Sequence, residues 1–246
     1  MRRIKLTIEY DGSRYHGFQY QKNAISVQEC LEVGIFELTG EKVKAICAGR
    51  TDAGVHALGQ VVAFNSQGSI PGDRFAQALN SYLPDDIRVL DSCQEGLDFN
   101  PRFHALKKHY KYYIYRQRPG AVVYRNYALC STEILDIQSM QRACAFFLGH
   151  HEFKAFCARG AANKTFDRIV YQCGIEERSP FWVFHISANG FLYNMIRIIM
   201  GTLLEVGRGK YPPIRVKQII ASQDRQLAGS TVPPQGLYLY KVEYKV

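Results

Sequence analysis

The chain contains the same order of predicted strands and helices twice, and this repeat limits the folds that it can adopt. In the first half, Ile4, Leu6 and Ile8 alternate with polar residues, which predicts a half-buried strand. Ser26 and Glu29 form a capping box at the start of a helix that runs to Gly40. The other elements predicted in this half are strands at Val43–Cys47, Val61–Phe64 and Ile87–Leu90 and a helix at Asp73–Tyr82.

The second half repeats this β-α-β-β-α-β order. Its predicted elements are strands at Lys108–Arg116, Ile169–Ile175, Trp182–Ser187 and Leu237–Tyr244 and helices at Ile137–Leu148, Tyr193–Val206 and Pro212–Ala221. Two split β-α-β units indicate an α+β protein built from two ferredoxin-like halves, each an antiparallel sheet with helices on one face. We expect these halves to be residues 1–105 and 106–246, with the junction near Arg102 to Leu106.

The composition describes a basic, globular protein. Hydrophobic residues make up 47% of the chain, which is ample for a buried core. The formal net charge is +9, because 31 Lys and Arg residues face 22 acidic ones, and this favours a polyanionic partner. The 16 tyrosines and 14 phenylalanines add aromatic faces that suit unstacked nucleic-acid bases, although most of these rings are expected in the core.

The cysteines and the apolar runs indicate the compartment. The seven cysteines are widely spaced and mostly lie in apolar runs, so we expect buried thiols in a reducing compartment. There is no Cys-x-x-Cys pair, and a zinc site is therefore not expected. No stretch approaches the roughly 20 apolar residues of a membrane span. The sequence predicts a cytoplasmic protein without a membrane partner.

The segment Gly49–Ala57 concentrates residues that are typical of an active-site loop. Asp52 lies between Gly49 and Gly54, and both glycines can adopt positive φ, so the backbone can turn tightly and present the carboxylate at its apex. Arg50 can pair with that carboxylate or with a phosphate. The alternative is a surface turn in which Asp52 bonds its own backbone.

Two further residues are candidates, each with a structural alternative. Tyr110 shares one face of a predicted strand with Lys108, Tyr112 and Ile114, so it either serves a site or packs the sheet. Arg197 is a cation in an otherwise apolar helix. It therefore needs a partner, unless its side chain extends to solvent.

Several segments recur along the chain in the order of a known family. The most specific is Gly49–Ala57, with the sequence GRTDAGVHA. The others are Tyr10–Gln19, Phe99–Ala105, Lys108–Ile114, Gly149–Phe153, Phe191–Arg197, Val206–Gly209 and Pro233–Leu239. Over nearly the whole chain these segments resemble the TruA family of tRNA pseudouridine synthases.

The resemblance implies a fold, a reaction and a site. The fold would join the two halves into one mixed or antiparallel sheet, with helices behind it and a basic cleft between the halves. Asp52 would be the nucleophile and Arg197 its ion-pair partner. Tyr110 would stack on the target base, and Arg50 would contact RNA near a flipped nucleotide. The route of attack, at C6, at C1′ or through a glycal, stays open.

The resemblance also implies the substrate and the assembly. The substrate would be uridine at positions 38, 39 and 40 of the tRNA anticodon stem-loop, and the enzyme would be a homodimer that needs no metal and no cofactor. His16 and His56 receive no role.

Two other classes of function were compared with this one. A zinc-dependent nucleobase deaminase would use a His-x-Glu such as His150 and Glu152, but the Pro-Cys-x-x-Cys partner is missing. The remaining alternative is a non-catalytic RNA-binding module with tandem ferredoxin-like halves. The sequence lacks the RNP signature of such modules, and this interpretation leaves the Asp52 segment unexplained.

Overall fold

The computed structural model describes residues 1–116, 122–160 and 165–245, which contain ten strands and five α-helices. This composition confirms the predicted α+β class. The chain divides into two compact units. The first unit comprises Met1–Leu106 together with the C-terminal residues from Tyr238, and the second unit comprises Lys107–Leu237.

The first unit has the element order that the sequence predicts. Its elements are β1 (Arg2–Tyr10), α1 (Val27–Thr39), β2 (Ile46–Cys47), β3 (His56–Ser66), α2 (Phe75–Leu79) and β4 (Ile87–Glu95). The strands pair antiparallel in the order β4-β1-β3-β2, which is the ferredoxin-like arrangement of a β-α-β-β-α-β unit. The last strand of the chain, β10 (Leu237–Tyr244), has the predicted bounds and runs parallel to the start of β3.

Helix α1 begins and ends where the capping residues predict. The Ser26 side chain accepts a hydrogen bond of 3.2 Å from the backbone N–H of Glu29, and Gly40 ends the helix with φ of 74°. Val27, Leu31 and Ile35 form its buried face. The predicted amphipathic helix is thus confirmed.

The second predicted helix and three strands of this unit differ in length from expectation. Helix α2 covers only Phe75–Leu79, because the Asn80 side chain bonds both the N–H and the C=O of Val89 on β4 and the chain leaves the helix there. Strand β2 is shorter than predicted. Strand β3 is longer and begins at His56. Strand β4 begins at Ile87 as predicted but extends to Glu95.

The second unit follows the repeated order with three added elements. Its elements are β5 (Ala105–Tyr115), β6 (Leu129–Cys130), α3 (Ile137–Cys144), β7 (Gly149–Glu152), β8 (Asp167–Arg178), β9 (Phe181–Ala188), α4 (Met195–Gly207) and α5 (Arg215–Ser222). Four strands pair antiparallel in the order β5-β9-β8-β7, and β6 pairs in parallel with the end of β5. The predicted halves 1–105 and 106–246 stay a prediction. The contacts group Tyr238 and the residues after it with the first unit, because β10 pairs with β3 there.

Strand β5 has the two faces that its alternation predicts. The buried face consists of Lys108, Tyr110, Tyr112 and Ile114, and the residues between them are half-buried. Tyr112 lies opposite Phe184 of β9, and both are fully buried. Tyr110 therefore lies on the buried face of its strand.

Helix α4 packs directly on the backbone of the segment 228–232. A Cβ atom on Gly201 would overlap the carbonyl oxygen of Ser230, and a Cβ atom on Gly229 would lie 2.5 Å from the backbone nitrogen of Thr202. The Thr202 hydroxyl accepts a hydrogen bond of 2.9 Å from the N–H of Gly229. The two glycines thus allow a contact between backbones that no larger residue admits.

The cysteines are less buried than predicted. All seven are free thiols, of which Cys47, Cys144 and Cys157 are buried and Cys130 is exposed. The prediction of buried thiols is therefore confirmed for three of them. None of the helices in the described part of the chain has the length and apolarity that a membrane crossing requires.

We predict that Gly201→Ala lowers the free energy of unfolding by about 2–3 kcal/mol, because the added methyl group has no space beside Ser230. Gly34→Ala in α1 is the control. Its methyl group would lie 3.0 Å from the end of the Leu83 side chain and 3.1 Å from the Tyr82 carbonyl oxygen, so a small shift admits it. Urea denaturation of both variants measures the difference. Equal losses would contradict the close contact between α4 and residues 228–232.

Candidate active site

The segment Gly49–Val55, called the Asp52 loop from here on, connects β2 to β3 in the first unit. The N–H of Val55 donates a hydrogen bond of 3.1 Å to the C=O of Asp52, which closes a turn, and Gly54 adopts φ of 76°. Gly49 does not adopt a positive φ, so this expectation is confirmed for Gly54 alone. Asp52 is half-buried and Arg50 is exposed, so both side chains lie at the surface of this turn.

Two glycines of the segment Tyr10–Gln19 touch the backbone of the Asp52 loop. A Cβ atom on Gly17 would lie 2.6 Å from the carbonyl oxygen of Thr51, and Gly17 also has φ of 96°. A Cβ atom on Gly12 would overlap the carbonyl oxygen of Val55. Both ends of the loop therefore rest on positions that only glycine can occupy.

Backbone hydrogen bonds join the same two segments. The N–H of Phe18 donates to the C=O of Thr51 at 3.1 Å, and the N–H of Gly54 donates to the C=O of Tyr15 at 3.2 Å. One bond lies on each side of Asp52. The two motifs, which are separate in sequence, thus form one structure.

Buried side chains also hold the loop. The Tyr10 hydroxyl and Thr51 Oγ1 are 2.7 Å apart, and Gln60 Nε2 donates a hydrogen bond of 2.6 Å to the C=O of Gly49. The N–H of Gly49 lies 3.4 Å from Gln60 Oε1. The residues on both sides of Arg50 are therefore fixed to the sheet.

His56 has a structural role that the sequence did not reveal. It is buried, and its Nδ1 lies 3.0 Å from the N–H of Gly12 and 3.2 Å from Oδ1 of Asp11. Its ring stacks on Tyr238 with the centroids 4.6 Å apart. The histidine thus anchors the turn at Gly12 where β3 begins. In the sequence, its position in the segment Gly49–Ala57 was the only signal.

The second unit contains Tyr110 on the buried face of β5. Its ring meets that of Phe191 edge to face, with the centroids 5.1 Å apart. Tyr112, the next residue on this face, donates a hydrogen bond of 2.8 Å from its hydroxyl to the C=O of Pro233. Burial raises the pKa of Tyr112, and the charge of Arg197 acts in the opposite direction. Tyr112 therefore has a packing role. Tyr110 is buried on the same face, and its role in the site stays a prediction.

Arg197 lies near the start of α4, and neighbouring groups hold its side chain. Its Nε donates a hydrogen bond of 2.7 Å to the C=O of Val232, and its Nη1 donates one of 2.7 Å to Oδ1 of Asn194. Asn194 precedes the helix with φ of 57°, a conformation that asparagine tolerates. The guanidinium is half-buried and fixed, which argues against a side chain that simply extends to solvent.

The four predicted site residues thus fall into two pairs. Asp52 and Arg50 share the Asp52 loop of the first unit, and Tyr110 and Arg197 belong to the second unit. The ion pair between Asp52 and Arg197 stays a prediction. In residues 1–116, 122–160 and 165–245, no group of three or more His, Cys, Asp or Glu side chains is arranged to hold a metal ion.

Comparisons with known proteins agree with the resemblance seen in the sequence. A family model described as tRNA pseudouridine synthase matches residues 6–104 and 143–245. The matched segments contain Asp52, Arg50 and Arg197, and Tyr110 lies between them. The chain therefore belongs to the tRNA pseudouridine synthase family, as the sequence predicts.

Curated relatives extend this similarity to the full length. A protein of Syntrophomonas wolfei named tRNA pseudouridine synthase A is 59% identical over 244 residues, which cover 99% of this chain and 98% of the relative. Proteins of the same name from Acetivibrio thermocellus and Caldicellulosiruptor bescii are 49% and 48% identical. Each of these two alignments covers 99% of this chain and 100% of the relative.

We predict that Gly17→Ala lowers the free energy of unfolding by roughly 2–4 kcal/mol, because the methyl group adds a clash with Thr51 to the strain of positive φ. The control Gly40→Ala has φ of 74° but open space around its Cβ, so it should cost about 1 kcal/mol. Amide hydrogen exchange should accelerate in the Asp52 loop of Gly17→Ala only. Unchanged exchange in that loop would show that Gly17 does not brace it.

Proposed function

We propose that this protein converts uridine to pseudouridine at positions 38, 39 and 40 of the tRNA anticodon stem-loop, with Asp52 as the nucleophile. Family membership supports the reaction on tRNA, and the stem-loop positions come from the resemblance. The observation that carries the proposal is the Asp52 loop. In a chain of this family, it presents one half-buried carboxylate on a turn that is fixed on both sides.

The chemistry needs a carboxylate more than any other group. The C1′–N1 bond of uridine breaks, the base turns, and a C1′–C5 bond forms while the hydrogen on C5 is replaced by one on N1. Atoms and electrons balance within the nucleotide, so the reaction is an isomerisation. An anionic Asp52 would attack the base at C6 or the sugar at C1′, or assist departure through a glycal.

The other three residues would bind and orient the substrate. Arg197 would keep Asp52 ionised, because a cation next to a carboxyl group lowers its pKa. Its bonds to Val232 and Asn194 support this role, since they hold the guanidinium in one orientation. Tyr110 would stack on the target base, and its hydroxyl would handle the proton of that base.

Arg50 would hold the RNA near the target nucleotide. It is exposed in the Asp52 loop, where a guanidinium is accessible to a phosphate. The target uridine would be flipped out of the stem, because an enzyme cannot reach C1′ or C6 inside a base stack. The net charge of +9 supports binding to the rest of the tRNA.

The assembly and the location are also proposals. The resemblance implies a homodimer in which one tRNA contacts both subunits, in the cytoplasm and away from membranes. Light scattering of the purified protein, with and without tRNA, tests the dimer independently of the activity.

We predict pseudouridine at positions 38, 39 and 40 when the protein is incubated with an unmodified tRNA transcript that carries uridine there. Chemical derivatisation followed by primer extension maps the product. A transcript with cytidine at the three positions is the control and should remain unmodified. Product at other positions only would contradict the proposed specificity. Tight binding of both transcripts without any product would favour the RNA-binding module.

We predict opposite effects for two tyrosines on the same face of β5. Tyr110→Phe removes a hydroxyl proposed to act at the base. Turnover should therefore fall by about tenfold or more, while the melting temperature changes little. Tyr112→Phe removes the bond to Pro233, so stability should fall by about 1 kcal/mol while turnover per folded molecule persists. Kinetics and thermal melting of both variants test this. The reverse pattern would make Tyr110 the packing residue.

A further inference from the structure

Three buried polar side chains in the first unit hold the backbone directly before Asp52, and the proposed chemistry uses none of them. Tyr10 is on β1, Thr51 is in the Asp52 loop, and Gln60 is on β3. Their exposed fractions are 4%, 7% and 0%. They are called the buried clamp below.

The clamp holds the loop at Gly49 and at Thr51, on either side of Arg50. Gln60 uses both ends of its side-chain amide on one residue, since it donates to the C=O of Gly49 at 2.6 Å and faces the N–H of Gly49 at 3.4 Å. Tyr10 bonds the Thr51 hydroxyl at 2.7 Å. The three side chains thus act on one short stretch of the loop, Gly49 to Thr51.

Burying these three polar side chains in the core costs folding free energy. A buried hydroxyl or amide loses its bonds to water, and apolar residues of the same shape would fill the space without that cost. Burial also raises the pKa of Tyr10, so its hydroxyl stays protonated and available to Thr51. Buried polar groups that are fully bonded gain directionality, because each bond fixes the orientation of its partners.

The clamp leaves little freedom to the backbone at Asp52. Thr51 is held through its side chain by Tyr10 and through its C=O by the N–H of Phe18. The C=O of Asp52 itself accepts the N–H of Val55. The peptide units on both sides of Asp52 are therefore fixed, and the direction of its Cα–Cβ bond is fixed with them.

We infer that Tyr10, Thr51 and Gln60 are positioning residues that set the direction of the Asp52 carboxylate. This inference rests on the proposed function, in which Asp52 must meet one atom of the flipped uridine. A displacement of a reacting group by about 1 Å costs on the order of 100-fold in rate. Loss of the clamp should therefore slow the chemical step and leave tRNA affinity nearly unchanged, because phosphate contacts supply most of that affinity.

Thr51→Val and Thr51→Ser separate the effect of the Thr51 hydroxyl on the rate from the effect of side-chain packing. Valine keeps the shape and loses the bond to Tyr10, so the single-turnover rate at saturating enzyme should fall roughly 10- to 100-fold. Serine keeps the hydroxyl and should retain the parent rate within about threefold. Filter binding should give the same Kd for tRNA in both variants. Equal rates for the two variants would overturn the inference.

Tyr10→Phe tests the other end of the bond, with Tyr244→Phe as its matched control. Tyr244 is also a tyrosine of the first unit, and its hydroxyl donates a hydrogen bond of 2.8 Å to the C=O of Pro101. Both variants should lose similar stability, about 1 kcal/mol, in thermal melting. Tyr10→Phe alone should lose rate. A parent-like rate in Tyr10→Phe would overturn the inference even if Thr51→Val failed to fold.

The double variant distinguishes a shared bond from two separate effects. If Tyr10 and Thr51 act through their bond, the double variant Tyr10→Phe/Thr51→Val should be about as slow as either single variant. Rate losses that multiply would show that the two residues act independently. If the parent protein makes pseudouridine and the clamp variants react at the same rate, the positioning role of the clamp is refuted and the proposed function stands. A parent that makes none would refute both.

Discussion

The contact between the two glycines Gly12 and Gly17 and the backbone of the Asp52 loop is the constraint on which the candidate site depends. A side chain at either glycine would meet a carbonyl oxygen of the loop, so the close approach requires glycine. Hydrogen bonds of Phe18 and Tyr15 then fasten the loop on both sides of Asp52. The backbone of this turn is therefore hydrogen-bonded before Asp52, at Thr51, and after it, at Gly54.

The second unit holds Arg197 by similar means. Gly201 lets α4 press on the backbone at Ser230, and the Arg197 side chain bonds the carbonyl of Val232 in the same segment. Tyr112 bonds the next carbonyl, that of Pro233. Arg197 of the candidate site and the packing residue Tyr112 thus bond adjacent carbonyl groups of one segment. Rigid placement of a charged group such as the Arg197 guanidinium is what electrostatic catalysis requires.

Much of this fold was predictable, because its local signals agree with its tertiary structure. Alternation placed β1 and the buried face of β5, and Ser26 and Gly40 marked the ends of α1. Helix α2 came out shorter than predicted, since the bonds from Asn80 to Val89 are tertiary contacts that no local pattern contains. Asp52 and Arg50 were found from their neighbours in the loop. The roles of His56 and Gln60 were not, because a lone buried polar residue in a strand gives no signal until its partners are known.

The most direct test of Asp52 as the nucleophile is the rate of one turnover in Asp52→Asn. Asparagine keeps the size of the side chain and removes its charge, so the Asp52 loop and the affinity for tRNA should survive. Single-turnover formation of pseudouridine at saturating enzyme should then fall by roughly 10⁴-fold or more, while filter binding gives a Kd close to that of the parent. A variant that binds tRNA normally and converts uridine within about tenfold of the parent rate would contradict this role.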